Sequence, residues 1–157
     1  MKQQAYDFNI QSLGEAWLPS PLNVSYFTSD EKRILLNIYV KNRGDVQTSA
    51  GQPQSIEVAG PREKIFFDPA KSKAAIVTCG GLCPGINDVI RAIVMELYYR
   101  YGVENILGIQ YGFKGIMPRY RYDIKELTPE LVKDIHTLGG SVLGSSRGRE
   151  DIGEMVD

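Results

Sequence analysis

Histidine is nearly missing from this chain of 157 residues: His136 is the only one, and there are just two cysteines, Cys79 and Cys83. A zinc site built from these would lack the usual four ligands, and so few thiols fit a reduced, cytosolic protein. No run of 18 apolar residues occurs anywhere, so no membrane span is expected. The amino terminus, MKQQAYDFNIQSLGEAWLP, has no uninterrupted apolar core of the kind a secretory signal needs. Net charge is −1, which withholds the basic footprint of a nucleic-acid-binding protein.

What is present is concentrated between Lys73 and Arg100. Ala74, Ala75, Ile76 and Val77 form a near-continuous apolar run, suited to a strand buried on both faces of a parallel sheet. Gly80, Gly81, Pro84 and Gly85 end it, and glycine there permits a sharp turn and close approach of an oxyanion to the backbone amides. Ile86, Val89, Ile90, Ile93, Val94 and Leu97 then fall at offsets 0, 3, 4, 7, 8 and 11, one face of a helix that Tyr101 and Gly102 close. The start of such a helix carries unpaired amides and partial positive charge, so phosphate is the natural guest. The competing reading is a plain strand-to-helix turn. Gly80 and Gly85 have the glycine spacing of a P-loop, but Ile86 and Asn87 stand where Lys and Ser or Thr belong, and Leu82 and Cys83 break the dinucleotide pattern.

The length fits one domain, or a domain with an extension. Residues 1 to 30 show no sustained period, and Pro19 and Pro21 argue against regular structure nearby; they read as an arm. Alternation predicts a strand over Arg33 to Val40, followed by a polar, mobile loop from Lys41 to Ser55 and a short strand over Lys64 to Phe67. The change in composition near Ser72 divides an amino-terminal extension, residues 1–72, from a βαβ-like domain, residues 73–157.

After the long helix, Asn105 to Gln110 predicts the next strand, and Tyr111 to Gly115 a loop at its carboxyl end that would share a crevice with the first glycine turn. Thr128 caps a helix with Pro129 at its first position, which turns Leu131, Val132, Ile135 and Leu138 inward and stops at Gly139-Gly140. A short strand, Ser141 to Leu143, leads to Gly144-Ser145-Ser146-Arg147-Gly148-Arg149, whose arginines make a phosphate clamp or, on the plainer reading, a solvated basic loop.

Five further expectations concern individual side chains. Cys83 is an unreactive turn residue or, alternatively, a redox sensor at a helix terminus. Asp88 faces outward, and Arg91 makes a surface salt bridge. Tyr98, Tyr99 and Tyr101 are packing residues rather than a stacking platform for bases. His136 is solvated or at the core edge.

Three motifs taken together resemble the first half of the nucleotide-binding domain of the 6-phosphofructokinases: GGLCPGINDVIR from Gly80, YGFKG from Tyr111 and GGSVLGSSRG from Gly139. The LCPG variant, the AGPREKIFF lead-in from Ala59 and the long amino-terminal extension resemble the ATP-dependent subgroup found in plants, kinetoplastids and spirochaetes. The resemblance implies an α/β fold, a partial doubly wound, Rossmann-like parallel sheet behind an extension with short strands. It implies transfer of the γ-phosphoryl of ATP to the 1-hydroxyl of fructose 6-phosphate with Mg2+, in the cytoplasm, by a homo-oligomer (dimer or tetramer), with neither nucleic acid nor membrane as partner. Residue by residue, Gly81, Tyr111, Arg147 and Gly148 match ATP-contacting positions. Two further family motifs, GGDG and PKTIDND, do not occur in these residues, so no catalytic base and no metal ligand is assigned. The chain is therefore expected to be a portion of a longer enzyme, inactive by itself. A pyrophosphate-dependent relative and a non-catalytic nucleotide-binding fragment or subunit are the alternatives.

Overall fold

The computed structural model describes residues 10–35, 55–148 and 150–156. The chain divides into two compact units, Met1–Phe66 and Phe67–Asp157.

In the first unit, β1 (Leu18–Pro19) pairs antiparallel with β4 (Lys64–Ile65), and β2 (Arg33–Leu35) with β3 (Ser55–Glu57). Two of these were anticipated in part. The strand expected over Arg33 to Val40 is described only as far as Leu35, and all three of its residues are exposed; residues 36–54, with most of the expected loop, lie outside the described residues. The strand expected over Lys64 to Phe67 ends at Ile65. Pro19, read as a breaker, is itself in a strand, at the end of a two-residue pairing that needs no long ladder. Arg62 ties this unit together by donating to the carbonyls of Thr28, Ser29 and Val58 at 2.9, 2.9 and 2.7 Å.

The second unit is built on β5 (Lys73–Val77), β6 (Asn105–Ile109) and β7 (Lys125–Glu126) in the order β5-β6-β7. β5 and β6 are parallel, with Ala74 beside Ile106 and Val77 beside Ile109, and the long α1 (Ile86–Met95) forms the crossover between them. β7 runs antiparallel to β6, so the sheet is mixed. The fold is α/β, as expected, but the third strand is not Ser141 to Leu143. That segment is a turn, because its hydrogen bonds go to side chains and single backbone groups rather than into a ladder: Val142 N–H donates to Asn87 Oδ1 and Leu143 N–H to Ser141 Oγ.

The core gathers Ile90 and Val94 of α1, Val103, Ile106 of β6, Leu127, Val132, Ile135 and Leu143. Burying each such side chain contributes about 1.5–3 kcal/mol. Helix α1 sits one notch round from its expected stripe. Ile90 and Val94 are buried, but Val89 and Ile93 are 57% and 39% exposed, and the inward position in the first turn belongs to Asn87. β5 likewise has one covered face only, since Ala75 and Val77 are exposed. Past Met95 the helix loosens to a π-helical turn, Glu96–Tyr101, and ends at Gly102, whose φ of 73° is the left-handed terminator expected there. Tyr98 and Tyr101 pack on the core, whereas Tyr99 is exposed and meets Tyr98 edge-on.

Thr128 caps α2 (Pro129–Val132) as anticipated, its hydroxyl accepting from Leu131 N–H at 3.2 Å. The helix is only four residues long and gives way to a 3-10 turn over Ile135–Thr137. That change of pitch leaves Val132 and Ile135 inside but turns Leu131 and Leu138 out, to 47% and 57% exposure, and leaves His136 exposed. A short α3 (Ile152–Val156) follows. No helix among the described residues is long and apolar enough to cross a membrane.

Candidate functional site

β5 and β6 are parallel, so their carboxyl ends lie at one edge of the sheet, where ligands of such folds collect. The chain leaves β5 through Thr78 and Cys79 into the glycine turn. Gly80 and Gly85 have φ of 88° and 86°, conformations that any larger side chain would resist. Gly85 is the N-cap of α1 and brings no side-chain cap; the first helical amide, Ile86 N–H, donates to the Cys83 carbonyl at 3.3 Å.

Opposite this turn lies the segment 139–147. Gly80, Gly81 and Leu82 on one side, and Gly139 to Ser141 with Gly144 to Arg147 on the other, enclose a cleft of about 590 Å³. Hydrogen bonds cross beneath it. Gly80 N–H donates to the Ser146 carbonyl at 3.0 Å, and Ser145 Oγ donates to the Gly80 carbonyl at 2.6 Å. Thr78, 8% exposed, donates its hydroxyl to the Gly144 carbonyl at 2.5 Å and shares a bond with Ser141 Oγ at 3.1 Å. Asn87 finishes the frame by donating to the Leu138 carbonyl and accepting from Val142 N–H, both at 2.9 Å.

Within the cleft, Arg147 lies against Gly81. A Cβ at Gly81 would stand 2.8 Å from Arg147 Nη2, so a side chain there would push the flexible guanidinium aside. The glycine therefore makes room for the guanidinium, and the two sequence-predicted residues form one cation-and-amide surface. Tyr111 and Gly148 do not line the cleft. Tyr111 backs onto it, since a Cβ at Gly144 would stand 2.8 Å from its ring. Its backbone N–H donates to the Leu143 carbonyl at 2.8 Å. Gly148 is exposed with φ of 135° and open space around it. The loop from Tyr111 to Gly115 thus supports the arginine segment from behind rather than sharing the crevice: Gly112 is buried where a Cβ would meet Ser146 Oγ at 2.7 Å and Cys79 Sγ at 3.2 Å.

Behind Tyr111 stands a ladder of rings. Tyr111 and Tyr122 have centroids 4.6 Å apart, Tyr122 and Tyr120 stack at 5.9 Å, and Arg119 and Lys114 lie 5.0 and 5.6 Å from the Tyr120 ring. Arg119 also bonds Glu150 and Glu154. Partial desolvation opposes its charge, but the bonds to Glu150 and Tyr120 and the Glu154 carboxylate outweigh that and hold the guanidinium above its ordinary range.

Residue-type reasoning missed Thr78, Asn87 and the ladder. The available signal for the first two was a small hydrogen-bonding residue at each end of a glycine turn. Arg91, expected in a salt bridge, donates instead to the Lys133 carbonyl at 3.0 Å, and Asp88 is exposed as anticipated. Both cysteines are exposed free thiols. Among the described residues no group of three His, Cys, Asp or Glu side chains is placed to hold a metal ion.

A protein-family model described as phosphofructokinase matches residues 73–156, which is the second unit almost entire. The chain belongs to the phosphofructokinase family. It is 45% identical over 159 aligned positions to an ATP-dependent 6-phosphofructokinase of Amycolatopsis methanolica, covering 96% of this chain and 34% of that protein. Against the enzyme of the same name from Borreliella burgdorferi it is 43% identical, covering 100% of this chain and 36% of the relative. An Entamoeba histolytica ATP-dependent 6-phosphofructokinase is 52% identical over 71% of this chain and 24% of its own length. The chain thus spans about a third of the length of the first two phosphofructokinases.

Proposed function

We propose that this chain supplies the phosphoryl-donor side of an ATP-dependent 6-phosphofructokinase, which moves the γ-phosphoryl of ATP to the 1-hydroxyl of fructose 6-phosphate. The observation that carries the reading is the contact between Arg147 and Gly81 inside one cleft. Phosphoryl transfer asks the protein mainly for position and for charge where charge develops. The glycine turn offers backbone donors to a phosphate, and Arg147 offers a permanent cation to the group in flight. Tyr111 and Gly148 would contact the rest of the nucleotide, one from behind the cleft and one at its exposed end. The donor named in all three relatives supports ATP over pyrophosphate.

Magnesium would accompany ATP as its counter-cation and offset charge on the phosphates; no residue of this chain is assigned to hold it. The parallel β5–β6 pair with its helical crossover supports a doubly wound sheet for the whole nucleotide-binding domain. Cytoplasmic location and assembly as a homo-oligomer belong to the same reading.

The test is made on the full-length enzyme that carries this segment. Arg147→Lys should lower kcat by roughly 10²-fold, the scale of losing one charge-stabilising donor in the transition state. Gly81→Ala should act mainly on the KM for ATP, because its methyl displaces the guanidinium. An unchanged kcat in Arg147→Lys defeats the assignment of that residue. Fructose 1,6-bisphosphate formed from pyrophosphate but not from ATP defeats the choice of donor.

A further inference from the structure

We propose that Arg119 is a positioning residue for the nucleotide donor. It joins the tyrosine ladder to the segment following Arg147, and so sets the spacing between the ring at the back of the cleft and the guanidinium inside it. This rests on the donor-binding reading above.

The contacts form a continuous chain. From the cleft wall at Gly144 they pass to Tyr111, through Tyr122 to Tyr120, and from that ring to Arg119. Arg119 then forks: Nη2 reaches Glu150 Oε2 at 2.6 Å and Nη1 reaches Glu154 Oε2 at 2.9 Å. Glu150 lies three residues beyond Arg147 in the sequence, so the chain of contacts ends on the segment that follows the cleft arginine.

Most surface ion pairs do little, and three features set this one apart. The Glu150 side chain is only 8% exposed, so losing Arg119 would strand a nearly buried carboxylate. The two carboxylates need a planar fork, which lysine's single point charge cannot supply. The third feature is backbone strain. Among the described residues, Tyr111 and Arg121 are the two that are not glycine yet have positive φ, 58° and 52°; Tyr111 is the ladder's first ring and Arg121 lies between Tyr120 and Tyr122. Non-glycine residues persist there when their surroundings hold them, and such strain gathers at functional sites.

The experiment uses the full-length enzyme with Arg119→Lys and with Glu154→Gln, which removes one arm and keeps the Glu150 bond. With Arg119→Lys, kcat/KM for ATP should fall about tenfold, a modest share of what a misplaced reacting group can cost. KM for fructose 6-phosphate should stay within twofold. Inhibition by ADP, whose base and ribose must seat beyond the phosphate cleft, should weaken several-fold more than inhibition by tripolyphosphate, which has no base. Glu154→Gln should show the same pattern at smaller amplitude, and it serves as the test if Arg119→Lys fails to fold. Constants within twofold of wild type, or equal weakening of ADP and tripolyphosphate, would overturn the proposal. A wild-type enzyme that does not phosphorylate fructose 6-phosphate from ATP would instead sink the underlying function, before any variant is compared.

Discussion

Asn87 gives the sharpest test of how the cleft is held open. It is 2% exposed and makes two hydrogen bonds across the cleft's base, to the Leu138 carbonyl and from Val142 N–H. Asn87→Ala removes both. Each bond contributes about 1 kcal/mol net, and a partner left dry adds about 1–3 kcal/mol. Leu138 is exposed and its carbonyl can turn to water, whereas the half-buried Val142 amide has less recourse. The expected cost is therefore about 2–3 kcal/mol, a factor of roughly 30–150 in the opening equilibrium of segment 138–146. Amide hydrogen exchange followed by mass spectrometry on the full-length enzyme reads this directly, as faster exchange in peptides covering Ser141 to Ser146. Asn87→Asp is the informative companion. It keeps an acceptor for Val142 but sets a carboxylate oxygen against the Leu138 carbonyl, so it should open the segment at least as much as alanine does. If Asn87→Ala leaves exchange there unchanged, the two bonds do not hold the cleft and the reasoning fails.

Two other substitutions probe the same frame. Gly108 lies in the central strand, where a Cβ would stand 2.5 Å from Leu143 Cδ2 and 3.1 Å from both Leu127 methyls. Gly108→Ala should destabilise by about 1–3 kcal/mol through overpacking, seen as a lower denaturant midpoint with an unchanged slope. Thr78→Val keeps the shape but loses the bonds to Gly144 and Ser141, and should cost about 1–2 kcal/mol in thermal or chemical unfolding, while Thr78→Ser stays close to wild type.

The central βαβ unit was legible because its signals are local. An apolar run predicts β5, a 3.6-residue period predicts α1, and Thr128 followed by Pro129 marks a capped start, which the structure bears out. Errors came wherever burial depends on what lies across the element. Val89 and Ile93 obey the helical period yet face out, while Asn87 breaks the apolar pattern and lies inside. Periodicity reports which residues share a face, but not how that face is turned. Ser141 to Leu143 failed differently: its composition suits a strand, but its hydrogen-bonding groups are taken by Asn87 and Ser141 side chains.

By itself the amino-acid sequence determined the order of turns and elements, because glycine, proline and a capping threonine act within a few bonds of where they stand. It also settled which residue types could meet a phosphate. Only the tertiary structure decided that Arg147 lies against Gly81 across the cleft, that Tyr111 stands behind the wall, and that Arg119 links the rings to Glu150. Those pairs are separated by 30 to 70 residues. Nothing in the local conformation of either partner encodes such a distance; it follows from the register of β5 on β6 and the packing of the segments beyond them.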